Sequence, residues 1–425
     1  MDYMVNVTGP GTVLSSLTYT GGDGSYTGLS VSKTLVTNVV FRNAALYYNG
    51  NGFALKADEG TRIVDSVFAG NAAMGVNGQG GAVFALARRD ADVTLSVVDS
   101  EFAGNSADLY GGAVSVMPCY WMDGSDGAIG LDIAGSRFEG NASGGFGGAI
   151  CGRPTTLAVE KSATREKPGT TAFVGNSAVE GGGAVSLIAD GDDAGRAAVE
   201  IRRGVSFVGN VVSNDAVRAA GSDWTVMTAG GAFDMELPGG CDFVAEGVEF
   251  ADNVAYATEQ AYGGALVFFG NSAVTVDTCV FDGNAVCVSG LEAFAASSDF
   301  LGGAIEAAYC DVSLLNSTFR HSNAEAVGLV ACAAGVTNCV AVGNGAATGR
   351  KDLYFSDDAD GETVYGACGV DVAYSAYGEI DAAYADSIHE AFNLSNRTEG
   401  IYFGDTLRLN PVGFNPVAAL GVKQD

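Results

Sequence analysis

The sequence predicts an all-β protein, a parallel β-helix of about nine or ten coils with irregular end caps. Three observations predict this fold: a two-part repeat, short runs of alternating apolar residues, and turn residues at fixed places between those runs. One copy of the repeat reads FAGNSADLYGGAV (102–114). It begins with a Phe-x-x-Asn motif and ends with Gly-Gly-Ala and an apolar residue. Seven such pairs of motifs follow one another along the chain.

The Phe and the Asn of each copy are predicted to form two internal ladders. Alternating runs such as ADVTLSVVDSEFAGN indicate strands, whose equivalent residues stack about 4.8 Å apart in successive coils. The Phe ladder would comprise Phe68, Phe102, Phe138, Phe173, Phe207, Phe250 and Phe281. The Asn ladder would comprise Asn71, Asn105, Asn141, Asn176, Asn210, Asn253 and Asn284. An inward Asn amide can hydrogen-bond the backbone of its own coil and of the next, and the Gly pair allows close approach. Both motifs are therefore assigned to the scaffold.

The composition limits the classes of partner. The chain of 425 residues carries 21 Lys and Arg against 50 Asp and Glu, a formal net charge of -29. Nucleic acids and anionic membrane surfaces would repel such a chain. No stretch of about 18 uncharged apolar residues could span a bilayer. The start MDYMVNVTGPG lacks the basic and apolar regions of a signal peptide, so we expect a piece of a longer exported chain.

The nine cysteines are predicted to be structural. They are Cys119, Cys151, Cys241, Cys279, Cys287, Cys310, Cys332, Cys339 and Cys368. No Cys-x-x-Cys pair occurs and the chain has 2 histidines, so a structural zinc site is not expected. Cys279 and Cys339 stand two residues before the Phe position, where other copies carry Ser or Thr, which favours small buried side chains. A disulfide between adjacent coils is left open.

The paired motifs resemble the repeats of the chlamydial polymorphic membrane proteins and of related bacterial surface β-helix proteins. The resemblance rests on FxxN and GGA[I/V] and runs from FRNAALYYNGNGFAL, which begins at Phe41, to about Asn344. It implies a right-handed, pectate-lyase-like β-helix, exported to the cell surface like an autotransporter passenger, with adhesion as its role. The family's motifs specify the scaffold, so they transfer no binding residue, and the way in which the chain is anchored stays open.

Insertions between Asn and Gly-Gly are the predicted binding surface. The connection is five residues long in NSADLYGG, much longer after Asn210 and Asn284, and intermediate after Asn253. These three insertions should rise side by side, because they leave the same corner of consecutive coils. Exposed aromatic and acidic side chains suit contacts with sugars or proteins. The candidates are Asp223, Trp224, Tyr262, Glu292, Phe294 and, in a second group of loops formed by residues 117–127 and 153–169, Trp121. The alternative is that the insertions only shield the scaffold.

Three acidic residues are weak candidates for catalysis. Alternation along the strand after Gly-Gly-Ala places Asp234 and Glu306 outside the coil, with Glu236 nearby. Asp234 and Glu306 lie two coils apart, a distance of about 10 Å. This distance is near the upper limit for the carboxyl pair of an inverting glycosidase. Unrelated solvated carboxylates would show the same spacing in a chain with 50 acidic residues.

No cofactor is expected. The acidic segments SDDADG (356–361) and DGDDAG (190–195) lack the twelve-residue calcium loop that ends in Glu, so they indicate weak calcium binding at most. No Ser/His/Asp set, phosphate loop or dinucleotide fingerprint is recognisable.

Residues 1–40 are predicted to form N-terminal capping coils, 41–355 the β-helix repeats, and 356–425 a C-terminal cap. In the last segment the apolar spacing from Ile380 to Phe392 predicts a short helix, which would include His389.

The expected function is that of a bacterial cell-surface or secreted adhesin-like module that binds a host glycan or protein through its corner loops. The alternatives are a polysaccharide-cleaving enzyme, either a glycoside hydrolase or a lyase, and a structural stalk.

Overall fold

The computed structural model describes residues 5–21, 29–46, 55–75, 78–87, 92–118, 128–163, 169–188, 196–214, 227–237, 239–257, 260–288, 301–345, 347–348, 352–360, 363–366, 368–373, 375–377, 380–383 and 387–391. The regular elements in these ranges are all β-strands, and no helix occurs among them. The strands lie parallel in stacked sheets, an arrangement typical of a parallel β-solenoid. One antiparallel pair, near the C-terminal end, departs from this pattern.

The strands follow one another at short intervals along the chain. The first part contains β1 Val5–Ser15, β2 Thr18–Thr20, β3 Leu29–Thr37, β4 Val40–Arg42, β5 Ala45–Leu46, β6 Leu55–Asp58, β7 Thr61–Val64, β8 Val67–Ala69, β9 Ala72–Ala73, β10 Val83–Ala87, β11 Val93–Val98, β12 Glu101–Ala103, β13 Ser106–Ala107, β14 Val114–Pro118, β15 Ile129–Ala134 and β16 Arg137–Glu139. The middle part contains β17 Ala142–Ser143, β18 Ile150–Gly152, β19 Thr156–Glu160, β20 Thr171–Val174, β21 Ser177–Ala178, β22 Val185–Ile188, β23 Ala197–Ile201, β24 Val205–Val208, β25 Val211–Ser213, β26 Met227–Ala229, β27 Phe233–Glu236, β28 Cys241–Glu246, β29 Glu249–Ala251, β30 Val254–Ala257, β31 Gln260–Tyr262 and β32 Leu266–Phe269. The last part contains β33 Ala273–Asp277, β34 Val280–Asp282, β35 Ala285–Val288, β36 Ile305–Ala308, β37 Asp311–Leu315, β38 Thr318–Arg320, β39 Val327–Val330, β40 Ala333–Thr337, β41 Val340–Val342, β42 Leu353–Ser356, β43 Asp358–Asp360, β44 Thr363–Gly366, β45 Gly369–Ala373, β46 Ala376–Tyr377, β47 Ile380–Ala383 and β48 Ser387–Ala391.

Three sheets collect equivalent strands of successive copies. The largest has 24 strands, the sheet with the Phe motif has 12, and the sheet that follows the Asn has 8. One copy of the repeat, β12 to β15, contributes one strand to each of the two smaller sheets and two to the largest. A copy thus has four strands, because the chain turns again after the Gly-Gly-Ala strand. At Tyr309, for example, the left-handed φ of 58° makes this turn.

The pairing register keeps each motif in one column. Phe102 pairs with Phe68 on one side and with Phe138 on the other. Val114 pairs in the same way with Val83 and Ile150. The differences in length between copies therefore lie in the connections between strands.

The Phe residues form a continuous stack in the core. Nine rings in succession have centroid separations of 4.6 to 5.2 Å and interplanar angles of 3° to 13°. The stack extends past the predicted members to Phe41 and Phe319, and Tyr19 lies on its first ring at 5.8 Å. Ala341 interrupts the column, and its pairing partner Tyr377 restores an aromatic side chain in the core.

Each Asn amide of the ladder joins three successive copies. Oδ1 of Asn141 accepts hydrogen bonds from the backbone N–H of Asn105 at 3.0 Å and from its Nδ2 at 2.9 Å. Nδ2 of Asn141 donates to the Phe102 carbonyl at 3.0 Å and to Oδ1 of Asn176 at 2.9 Å. Asn71, Asn105, Asn176, Asn210 and Asn253 repeat the pattern. These hydrogen bonds satisfy backbone groups that the buried corner would otherwise leave unpaired.

The Gly pair is required by the backbone geometry. Gly111 has a φ of 61°, in the left-handed region that favours glycine. A Cβ at Gly112 would lie 2.2 Å from the carbonyl oxygen of Gly148 in the next copy. The first Gly therefore makes the turn, and the second allows neighbouring copies to approach.

The predicted C-terminal helix is wrong, since strands occupy this part of the chain. Ile380 in β47 pairs with Leu353, and Ile388 in β48 pairs with Val370. The preceding copy presents an open strand edge whose backbone groups a further strand can pair and a helix cannot. His389 belongs to β48 and pairs with Asp371.

Two segments interpreted as loops contain strands. Within 153–169, β19 pairs with β15 and β23, and its residues Leu157 and Val159 point into the core. Within 356–361, β43 pairs antiparallel with β44. In both segments a short run of alternating residues forms a strand between polar residues. The other acidic segment, 190–195, lies outside the described residues.

Candidate functional site

The insertions after Asn210, Asn253 and Asn284 begin at neighbouring strands of the 8-stranded sheet. They follow β25, β30 and β35, which pair in register, with Ser213 beside Tyr256 and Tyr256 beside Cys287. The first two insertions return through β26 and β31, which pair with each other. The described ends of the insertions therefore lie side by side on one face of the molecule.

Most predicted binding residues fall outside the described residues. This applies to Trp121, Asp223, Trp224, Glu292 and Phe294.

Tyr262 is described, and its side chain is 8% exposed. Its ring contacts that of Phe269 edge-on, with centroids 6.3 Å apart, and it packs in a small apolar cluster with Ala229 and Val267. The expectation that Tyr262 offers an open aromatic face is therefore wrong. The residue anchors the base of an insertion.

The second residue of each Gly-Gly-Ala strand forms what we call the outer column. Pairing in register joins Phe84, Ser115, Cys151, Ser186, Asp234, Val267 and Glu306. The column faces away from the Phe core, as alternation predicts, but all seven side chains are buried. The expectation of solvated carboxylates at Asp234 and Glu306 is therefore wrong.

The outer column is buried because the segment between Asn and Gly-Gly folds back over it. Residues directly before Gly-Gly or its equivalent pair with one another in a row, which comprises Gln79, Tyr110, Phe146, Gly181 and Ala229. Tyr110 and Phe146 pack against a cluster that contains Phe84 and Cys151. The sequence carries two signals of this cover: the aromatic residue before Gly-Gly, and apolar residues on both faces of the strand.

Asp234 is a fully buried carboxyl group at the centre of the candidate site. Its Oδ2 accepts a hydrogen bond from the Ser186 hydroxyl at 3.2 Å. Its Oδ1 has no hydrogen-bond partner among the described residues. A Cβ on Gly181 in the covering segment would lie 2.2 Å from Oδ2, so the backbone closes directly over the carboxyl group. Burial, and next the charge of Glu236, raise the pKa of Asp234 well above its ordinary value.

Glu180 and Glu236 join Asp234 in what we call the carboxyl cluster. Glu180 precedes Gly181 in the covering segment, and Glu236 follows Asp234 by two residues on β27. Burial raises the pKa of both groups, and the charge of Glu180 raises that of Glu236 further. Within the described ranges none of the three carboxylates forms an ion pair with Lys or Arg. Glu180 could not be recognised from the sequence, because its proximity to Asp234 depends on the fold of the cover. Ser186 lies beside Asp234 through the pairing of β22 with β27.

Glu306 lies apart from the carboxyl cluster in the outer column. Val267 stands between it and Asp234 in the register. Oε2 of Glu306 accepts a hydrogen bond from the backbone N–H of Leu301 at 3.1 Å, where the third long insertion returns. Burial, and next the charge of Glu306, raise the pKa of Tyr262. The predicted pair therefore occupies the predicted register but shares no open cleft, and of the three catalytic candidates only Glu236 is partly exposed.

The raised pKa values predict that acid stabilises the fold. The folded carboxyl cluster binds protons more readily than the unfolded chain, in which Asp and Glu titrate at about 3.9 to 4.3. Its stabilising contribution is complete below those values and is lost as the pH rises through the higher folded pKa values. Asp234→Asn keeps the shape but cannot ionise. We expect it to be more stable than the native chain at pH 8, on the order of 1–3 kcal/mol, and to show no such gain at pH 4.

Urea unfolding at both pH values measures this effect. Asp311→Asn is the matched control, because it removes the same charge from an exposed position. An advantage of Asp234→Asn that is equal at pH 4 and pH 8 would show that Asp234 does not titrate in this window.

The described residues contain no group of three or more His, Cys, Asp or Glu side chains that could hold a metal ion. They also include no helix of the length and apolar character needed to cross a membrane. No family model matches the chain, and no match was found with a curated protein or with a solved structure.

Proposed function

We propose that the chain is an adhesin-like module of a bacterial cell-surface or secreted protein, and that it binds a host glycan or protein through its three long insertions. The proposed scaffold is a right-handed parallel β-helix of about nine or ten coils, similar to the repeats of chlamydial polymorphic membrane proteins. The observation that carries the proposal is the register of β25, β30 and β35, which sets the roots of the insertions side by side.

The distribution of chain length supports a binding surface. The connection from Asn to Gly-Gly is short in the copies around Asn105, Asn141 and Asn176. It is longer in the next three copies, most of all after Asn210 and Asn284. In a solenoid, insertions at one position of neighbouring repeats build a continuous surface, which is commonly the binding face. The net charge of -29 favours a neutral or cationic ligand over an anionic one.

The first test is incubation of the purified chain with host, plant and microbial polysaccharides and with host extracellular proteins. Mass spectrometry identifies both the retained material and any cleavage products. Retention of one uncut glycan or of one protein class supports the adhesin-like function. If the chain retains and cleaves none of them, the binding function is contradicted and the structural stalk takes its place.

Polysaccharide cleavage is the second candidate function, because a cluster of carboxyl groups with raised pKa values lies next to the insertions. Such groups are typical of catalytic sites. Glu236 is the partly exposed member, so Glu236→Gln should abolish cleavage, and Asp234→Asn should reduce it strongly. Full activity in an Asp234→Asn, Glu306→Gln double variant would remove this pair from catalysis.

Weak calcium binding remains part of the proposal for the acidic segments 190–195 and 356–361. A thermal melt with and without CaCl₂ tests it, and an unchanged melting temperature would contradict it.

A further inference from the structure

Three cysteines occupy one corner of consecutive copies. Cys310, Cys332 and Cys368 each stand directly before a strand of the largest sheet, and those strands pair in register through Asp311, Ala333 and Gly369. All three side chains are buried free thiols. In the preceding copy Ser272 takes this position, so it separates Cys241 from the other thiols.

Cys310 and Cys332 are in direct contact. The backbone N–H of Cys310 donates to the sulfur of Cys332 at 3.5 Å. Equivalent Cα atoms of adjacent parallel strands lie about 4.8 Å apart, within the range of about 4.4 to 6.8 Å that a disulfide requires. A disulfide also needs Cβ atoms about 3.5–4.5 Å apart, so its formation requires a small approach of the two copies together with a rotation of both side chains.

Cys368 is held differently, although it follows in the same column. Its backbone N–H donates to Oδ1 of Asp357 at 2.5 Å, and its sulfur donates to the Leu329 carbonyl at 3.7 Å. The backbone N–H of Cys332 also interacts with the sulfur of Cys368 and partly offsets the rise in its pKa that burial causes. The contact of 3.5 Å between the Cys310 N–H and the Cys332 sulfur points to Cys310 and Cys332 as the pair.

The contact also makes the two thiols chemically unequal. The neighbouring Cys332 thiol lowers the pKa of Cys310, whereas the Cys310 sulfur and burial raise the pKa of Cys332. The thiolate is the reactive form of cysteine, so these directions favour Cys310 as the nucleophile.

We propose that Cys310 and Cys332 form a redox-active dithiol that closes to a disulfide between two adjacent copies. With hydrogen peroxide as the oxidant, the Cys310 thiolate attacks one peroxide oxygen and the O–O bond breaks. Cys310 becomes a sulfenic acid, and the hydroxide that departs takes up the proton lost by the Cys310 thiol, which gives one molecule of water. The Cys332 sulfur then attacks the Cys310 sulfur, so that the S–S bond forms and the S–O bond breaks. The departing hydroxide and the Cys332 proton make water. The dithiol loses two electrons, and the peroxide is reduced to two molecules of water.

The disulfide would link two copies across 22 residues of chain. It removes conformational freedom from the unfolded chain and should raise the melting temperature by a few degrees. This inference concerns the scaffold and does not depend on the ligand proposed above.

The test uses the full chain, reduced, freed of reductant and exposed to a small molar excess of hydrogen peroxide. The remaining thiols are then alkylated in denaturant, and disulfide-linked peptides are mapped by tandem mass spectrometry. We expect two of the nine thiols to escape alkylation, joined as Cys310–Cys332, and the melting temperature to rise. Treatment with reductant should reverse both changes.

Variants separate this pair from the other thiols. Cys332→Ser should prevent the disulfide, whereas Cys241→Ser, in the same column but beside Ser272, should leave it intact. Nine alkylated thiols after peroxide, a link from Cys332 to Cys368, or sulfinic acid at Cys310 without a disulfide would each overturn the proposal. The peptide map of the native chain decides the question even if a variant fails to fold.

Discussion

Asn141→Ala is expected to destabilise the fold by roughly 3–6 kcal/mol, a large effect for a polar substitution. The change removes four hydrogen bonds at a fully buried corner. It leaves the N–H of Asn105 without this partner and removes the side-chain bonds to the Asn105 amide and the Phe102 carbonyl, and each unsatisfied buried group costs about 1–3 kcal/mol. A water molecule that enters the vacated space would offset part of this cost.

Urea unfolding followed by circular dichroism measures the loss. Glu101→Ala is the matched control, because it truncates an exposed side chain near the same copy and should change stability by less than about 0.5 kcal/mol. Hydrogen exchange should show that the lost protection is centred on the copies of Asn105, Asn141 and Asn176, since a solenoid copy contacts only its neighbours. A loss below about 1 kcal/mol would mean that the Asn ladder is not a main source of stability.

Phe173→Ala is expected to cost about 3–5 kcal/mol through loss of apolar burial and the cavity left behind. The ring is fully buried between Phe138 at 4.9 Å and Phe207 at 4.6 Å. Two stacked contacts are lost as well, and such pairs contribute about 0.5–1.5 kcal/mol beyond their buried area. Phe173→Leu keeps most of the volume and should show a smaller loss, chiefly that of the ring contacts.

Tyr19→Ala is the control at the end of the same column. Tyr19 is partly exposed, and its ring meets that of Phe41 at a tilted 41°. Its truncation should therefore cost much less than that of Phe173. Equal losses at the two positions would show that the stacked column adds nothing to stability beyond local burial.

The ladders could be predicted from the sequence because they depend on local geometry. The two-residue period of a strand fixes which side chains point inward, and a constant register then stacks Phe on Phe and Asn on Asn. The Gly pair could be interpreted for the same reason, since a left-handed φ at Gly111 and the close approach at Gly112 are backbone requirements.

The environment of the candidate site could not be predicted in the same way. Alternation places Asp234 on the outer face of its strand, but burial depends on whether another part of the chain covers that face. The cover is the segment that contains Glu180 and Gly181, which precedes Asp234 by 53 residues or more in the chain. No regular spacing in the sequence links this segment to Asp234, so their contact is visible only in the fold. The C-terminal strands show the same limit, because the open edge of the preceding copy overrides the helical spacing around Ile388.

The most direct measurement of the central claim separates the scaffold from its insertions. In one variant, short Gly-Ser links replace residues 215–226 and 289–300, which leaves β26 and Leu301 in place. A control variant shortens 164–168, on a different connection. The proposed function predicts that both variants keep the strand signal and melting temperature of the native chain, that the first loses retention of the glycan or protein ligand, and that the control keeps it. Undiminished retention by a folded first variant would contradict the account.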